Sequence, residues 1–502
     1  MSDTQIRKIV IAGGGTAGWL SAAMLSRVVG QSVEIVLIES EEIGTVGVGE
    51  ATIPPLASLF IFLRIPEHEM LAQVQGTYKL GIEFVDWYEK GRTYSHAFGN
   101  PGRDLGLVPF YQYWLKAYMQ DPAAAGSLWD YSLNDLASRA RRFAPLKQIP
   151  DIEMEGITHA YHFDAGLLAR YLRTRCEAAG VIRREGRITG VNLRSDDGFI
   201  RSLTLADGQV VDGDMFIDCT GFGGLLIEGA LKAGYENWTH WLPCDRALAV
   251  PCASAGPLLP YTRATAHSAG WQWRIPLQHR TGNGHVFCSS FMDTDEATRI
   301  LMDNLDGDPL ADPRLLKFTT GRRRTSWMKN CLALGLAAGF MEPLESTSIH
   351  LVQSGMTRFL KMFPDTGFSA LEMAEYNRQT AHEYELIRDF LVLHYTATRR
   401  DDSTFWNHCR TMALPDSLAH KIAYFREHGR LIVEDADLFK ESNWAQVLIG
   451  QGVTPKAASP LTRHVSDSDL SGYMSNLRQI YANTLPSLPP HADYIARYCK
   501  AN

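Results

Sequence analysis

None of the eight cysteines stands in C-x-x-C or C-x-H spacing, so neither a zinc site nor a dithiol redox centre is expected. No apolar run approaches the roughly 18 residues that a membrane helix needs. The longest basic tract is "GRRRT" (321–325), and a net charge of −7 is spread along the chain. That leaves a nucleic-acid role without electrostatic support. Internal repeats and low-complexity linkers are absent, and the start of the chain reads as a buried strand, not as a signal peptide. Scattered thiols in that context fit a reduced, cytoplasmic setting. These exclusions leave an ordinary globular composition, 45% apolar and 21% charged over 502 residues, a length that suggests about three domains, though single α/β enzymes also run long.

The first fifty residues carry the first positive signal. A continuous apolar run, Ile9 to Ala12, turns through Gly13-Gly14-Gly15-Thr16-Ala17-Gly18 into a helical pattern. This is G-x-G-x-x-G between a strand and a helix. Gly13 allows the tight turn, Gly15 lets the backbone approach a pyrophosphate, and Gly18 allows close helix–strand packing. The next strand, "VEIVLIE", ends at Glu39, placed to bind a ribose hydroxyl. Two later stretches favour FAD over NAD. One is a second glycine-rich turn, "GTVGVGEATIPP" (44–55). The other is "VVDGDMFIDCTGFGG" (210–224), a strand that ends in small residues. No second complete G-x-G-x-x-G follows a strand, so the chain lacks a dedicated NAD(P)H fold.

"GWQWRIP" (270–276) reads as a strand with Trp271, Trp273 and Ile275 on one face, Gln272 and Arg274 on the other, and Pro276 ending the ladder. Taken alone, two neighbouring indoles read first as a sheet packing on a core.

With "GGGTAG" (13–18), "GVGEATIP" (47–54), "GWQWRIP" and "FMEPLESTSIH" (340–350) in this order, the chain resembles the flavin-dependent tryptophan halogenase family over residues 6 to 410. Shorter stretches agree: "SHAFG" (95–99), "YHFDAGLLARYL" (161–172) and "HYTATRRDDSTFW" (394–406). The resemblance implies that reduced FAD, O2 and chloride or bromide yield hypohalous acid, which halogenates an electron-rich aromatic ring. It assigns Lys79 to the oxidised halogen, as a hydrogen-bond donor or as a haloamine. It assigns Glu345 to the ring cation and its proton, Thr347 and Ser348 to halide, and His96 and Phe98 to the flanks of an indole. Flavin contacts carried over are Gly13, Thr16, Ala17, Glu39, Ala51, Ile188, Leu336 and Ile349. Ser348 stands where tryptophan halogenases usually have glycine. Read without the family, Lys79 is a solvated charge, Phe98 a core ring, and Glu345 an acid in the first turn of a helix.

The resemblance fails at "VEDADLFKESNWAQVLIGQGV" (433–453). Tryptophan-specific members place paired tyrosines, a glutamate and a Phe-Trp there. This stretch is shorter, lacks the tyrosine pair and the Phe-Trp, and its Trp444 aligns with neither. A buried zwitterion needs polar partners, so the expected substrate is an indole derivative other than free tryptophan.

The expected fold is α/β. It has a Rossmann-like FAD box of the glutathione-reductase/hydroxylase type within residues 1–360, built from 1–95, 155–235 and 315–360. A second sheet is expected from 96–154 and 236–314, with a helical, substrate-side subdomain over 361–502. In the last part Met373, Tyr376, Thr380, Tyr384, Ile387, Leu391 and His394 recur at helical steps. The rival functional readings are an aromatic hydroxylase and a non-catalytic flavoprotein, and whether the chain forms a homodimer is left open. Because one dinucleotide motif is present, FADH2 is expected from a separate flavin reductase. NADH alone should therefore reduce the bound FAD slowly, and rapid NADH oxidation by the purified chain without a reductase would overturn this.

Overall fold

The computed structural model describes residues 4–42 and 49–501; residues 44–48 of the second glycine-rich turn lie outside it. Its organising element is a six-stranded sheet in the order Trp327–Met328, Cys331–Ala333, Met215–Asp218, Lys8–Ala12, Glu34–Glu39, Ile182–Glu185, parallel except at the first pair. The central strands Met215–Asp218, Lys8–Ala12 and Glu34–Glu39 read as near-continuous apolar runs because both faces are buried, whereas the edge strand Ile182–Glu185 is largely exposed. Ile9, Ile11, Ile35 and Leu37 join the main core, while Val10, Ala12, Val36 and Ile38 join a smaller one. Helix Thr16–Val29 covers the first face, between helices Ala165–Ala178 and Ser348–Lys361. The three-stranded antiparallel sheet Ile188–Leu193, Ile200–Leu205, Val210–Asp212 covers the second through Ile200, Leu203 and Leu205.

The second large sheet has seven strands in the order Arg314–Lys317, Arg246–Cys252, Thr281–Phe287, Gly270–Pro276, Thr262–His267, Gly81–Val85, Thr93–Ala97. This corrects the expected boundaries. Of 96–154 only the end of Thr93–Ala97 joins the sheet; helices Phe110–Gln120 and Leu133–Arg139 follow. The segment "FYQYWLKAYMQ" buries every residue from Phe110 to Leu115, with no period-2 alternation of a half-exposed strand. Residues 81–85, expected in the flavin box, form a strand because Thr262–His267 pairs with them in parallel. Arg314–Lys317 likewise sits at this sheet's edge and not in the box.

Among the described residues, 361–501 carry helices and no strands, and helix Ala370–Thr396 turns Tyr376, Thr380, Tyr384, Ile387, Leu391 and His394 inward, with Met373 half-buried. These helices share the same continuous core as the sheets. Among the described residues no helix is long and apolar enough to cross a membrane, and all eight cysteines are unpaired thiols.

Strand Gly270–Pro276 alternates as its sequence implies. Trp271, Trp273 and Ile275 face one large cavity, while Gln272 and Arg274 bond the Asn304 carbonyl on the other side. The neighbouring strand supplies Gly284 opposite Trp273. A Cβ there would sit 2.0 Å from Cζ2 of that indole, so the ring lies flat on bare backbone. Gly284→Ala should displace Trp273 and cost about 1–3 kcal/mol, as overpacking does. Chemical denaturation measures the loss, and near-ultraviolet circular dichroism reports the moved indole.

Candidate active site

The large cavity has a volume of about 1230 Å³ and is walled by Gly13, Gly15, Thr16, Ala17, Glu39, Ala51, Ile188, Leu336, Ile349, Thr347 and Ser348 together with the tryptophan face. It exceeds the several hundred Å³ typical of single small-molecule pockets and suits an elongated dinucleotide. The glycines divide the work. Gly13 has φ +108°, and a Cβ on it would meet the Cys219 carbonyl at 2.3 Å. Gly18 is off the wall, packed so closely that a Cβ would lie 1.9 Å from the Gly13 carbonyl oxygen. Gly15 has no atom within 4 Å of where a Cβ would stand, which leaves its backbone open to the cavity. Glu39 is held at the strand end by the Trp19 indole N–H at 3.0 Å and by Arg173 and Arg183. The Trp273 indole N–H is buried without an acceptor. A flavin fits this donor set, and the residues named here would hold it.

A second centre lies behind the cavity. Strand Thr77–Lys79 pairs with Ala160–Asp164 and sends Lys79 into the interior, where its Nζ donates to Ser346 Oγ at 2.8 Å and lies 5.3 Å from the Phe98 ring centre. Burial pushes the Lys79 ammonium down to about 7, against the pull of Glu345. Ser346 has φ +59° and lines the cavity, so it is the junction between the two spaces. The sharp bend it makes separates the turn Pro343–Glu345 from helix Ser348–Lys361. Glu345 is therefore not in the first turn of that helix. It points inward while Thr347 and Ser348 face the cavity. The N–H groups at the start of such a helix lack intrahelical acceptors.

Glu345 is fully buried. His96 Nδ1 lies 2.8 Å from its Oε2, and His394 Nε2 lies 3.0 Å from its Oε1. The second contact is close enough for an ion pair but off the line that a straight hydrogen bond needs. Burial opposes the carboxylate charge, but the two histidines outweigh it and hold the carboxyl at about 2. His96 and Phe98 are buried beside this centre and do not reach the large cavity. Pro276, at the end of the tryptophan strand, accepts from Thr77 Oγ1 at 2.8 Å and so ties that strand to the one bearing Lys79.

Several residues of the site escaped sequence reasoning. Glu342 accepts from the Trp271 indole at 2.7 Å and from the Tyr395 hydroxyl at 2.5 Å. Burial pushes its carboxyl up to about 7 in spite of these bonds. Its signal was present in "EPLE", two carboxylates three residues apart, but only one was taken up. Ser346 and Asn443 carry no pattern of their own. Trp444, left unplaced by sequence, is a core residue edge-on to Phe390 at 4.9 Å with Lys421 above it at 4.1 Å. Among the described residues no group of three metal-ligating side chains occurs.

A family model described as tryptophan halogenase matches residues 8–467. The chain is 33% identical to tryptophan 6-halogenase SttH of Streptomyces toxytricini, over 97% of its own length and 98% of the relative's. Xcc4156, a flavin-dependent halogenase from Xanthomonas campestris, has a solved structure that superposes with a TM-score of 0.95 at 47% identity, covering 99% of both chains. BrvH, a flavin-dependent halogenase from Brevundimonas sp. BAL3, superposes at 0.94 with 41% identity over 98% of this chain and 99% of that one. A shared flavin box alone would leave the tryptophan sheet and the C-terminal helices unmatched. Agreement extends through both, and the chain belongs to the tryptophan halogenase family of flavin-dependent halogenases.

Proposed function

We propose that this enzyme halogenates an electron-rich indole other than free tryptophan, through Lys79 and Glu345. When bound and reduced, FAD supplies with O2 the oxidising power that turns chloride or bromide into hypohalous acid. The observation that carries the reading is the path of residues 345–348. One bend puts Glu345 inside, Ser346 on the boundary against Lys79, and Thr347 and Ser348 on the cavity wall. Halide held at Thr347 and Ser348 is thus one residue from the group that touches Lys79.

Trp271 and Trp273 wall the cavity and keep the aromatic substrate from the flavin side. Lys79 then receives hypohalous acid by donating a hydrogen bond to it. Half-neutral near pH 7, it equally suits the haloamine route. Glu345, ionised in a dry setting, stabilises the cationic ring and takes its proton. A reductase supplies reduced flavin, since one dinucleotide motif serves the whole chain. Lys79→Ala should abolish halogenation, a loss of at least about a hundredfold on the scale of positioned catalytic groups, while FAD affinity stays unchanged. Flavin titration and product mass spectrometry check the two halves, and retained halogenation would remove Lys79 from the path.

The substrate follows from what surrounds Glu345. The segment 433–453 contributes Phe439, which stacks on Phe390 at 3.9 Å, and Trp444, which is core. Neither is an amino-acid clamp. Each unpaired charge of a zwitterion costs about 1–3 kcal/mol, roughly tenfold or more in specificity. Indole should therefore outcompete equimolar tryptophan when protein, reduced FAD, air and bromide are mixed. Bromination at the most nucleophilic ring carbon is expected. Mainly benzo-ring bromotryptophan would show a clamp, and a gain of oxygen alone would show a hydroxylase.

A further inference from the structure

The two histidines on Glu345 are not equivalent, and their hydrogen bonds say how. His96 Nε2 faces Asn443 Nδ2 at 3.0 Å. The orientation of that amide is fixed independently. Its Oδ1 accepts the Lys440 backbone N–H at 2.8 Å in the capping turn of helix Glu441–Gly450. A flipped amide would set N–H against N–H there. Nδ2 therefore donates, Nε2 of His96 accepts, and the single ring proton of His96 is on Nδ1, aimed at Glu345 Oε2. His96 is a neutral donor.

His394 is bound the other way round. Its Nδ1 lies 2.9 Å from the Phe390 carbonyl, one helical turn earlier. A carbonyl only accepts, so this nitrogen keeps its proton. Nε2 is then left facing Glu345 Oε1 at 3.0 Å, inside a sleeve of the Phe84, Trp87 and Phe390 rings. Two lone pairs at that distance repel in a dry pocket. One further proton therefore sits on Nε2 or on Oε1, off the straight line between them. The other polar groups around the carboxylate are Lys79, engaged by Ser346, the Tyr94 hydroxyl, which has no partner, and His96. The His96 donor already favours the ionised form of Glu345, so the shared proton belongs on His394.

We propose that His394 is a positioning residue, an imidazolium that keeps Glu345 ionised, while Asn443 confines His96 to the neutral, Nδ1-protonated form. This rests on Glu345 as acceptor of the ring proton, and it also selects the accepting atom. Oε2 is taken by a straight bond from His96. Oε1 faces its cation off-line and, though buried, has no hydrogen-bond partner, so one of its lone pairs is uncommitted. In the step, the ring C–H bond breaks, its electron pair restores the aromatic sextet, and an O–H bond forms at Oε1. The ring cation is neutralised as the carboxylate becomes a carboxyl. Beside a retained imidazolium that carboxyl is a stronger acid.

Neutron diffraction from wild-type crystals in D2O near neutral pD tests the charge pattern without any turnover. Deuterons are expected on both ring nitrogens of His394, on Nδ1 alone of His96, and on neither oxygen of Glu345. A deuteron on Glu345 with a singly protonated His394, or a doubly protonated His96, would overturn the proposal. His394→Gln keeps an N–H near Oε1 but no charge. In halogenation of indole its acid limb in kcat should move up by about one pH unit or more, roughly tenfold lower rate on that side, with KM little changed. An equal loss at every pH, or no loss, would reduce His394 to a packing role. If wild-type enzyme halogenates nothing, the functional reading fails, and the neutron result still decides the charges.

Discussion

A single hydrogen bond, 2.8 Å from Lys79 to Ser346, ties the wall of a flavin-sized cavity to the buried polar cluster around Glu345. The bond joins a strand of a small three-stranded sheet to the bend before helix Ser348–Lys361. The left-handed backbone at Ser346 lets consecutive residues face opposite ways, Glu345 into the buried cluster and Thr347 and Ser348 onto the cavity wall.

The same bend sorts two carboxylates. Glu342 and Glu345 are both buried, three residues apart. Glu342 is held by neutral donors, an indole and a phenol, and is pushed toward the protonated form; Glu345 is held by imidazoles and stays ionised. Burial raises both carboxyls; only at Glu345 do the partners outweigh it. The first carboxyl holds the Trp271 indole in the cavity wall, and the second faces His96 and His394.

Local signals in the sequence were the legible ones. The strand–turn–helix around Gly13 to Gly18, the acid at the next strand's end, the alternation in "GWQWRIP", and the inward face of helix Ala370–Thr396 all follow from short-range periodicity. Lys79 and Glu345 came from family resemblance, since nothing in "GTYKLGIEF" marks a lysine as buried. The errors were non-local. Strand Gly81–Val85 exists because residues 262–265 pair with it, and no window around it contains that partner. His394 was placed on a buried helix face, but its polar neighbour lies at 345. Asn443 looks like an ordinary capping residue, and its second hydrogen bond, to His96, crosses to another element.

That reach across the chain has a bearing on biosynthesis. Lys79 meets Ser346 across 267 positions of sequence, and His96 meets Asn443 across 347. Contacts of such separation form late, after the loop-closure entropy between them has been met. A ribosome-bound chain that has emerged through helix Ser348–Lys361 already holds most of the flavin wall. It still lacks the helices that carry His394 and Asn443. Its Glu345 is then without His394 beside it. The buried cluster around Glu345 is thus completed only by residues from 394 onward, after the flavin wall has been made.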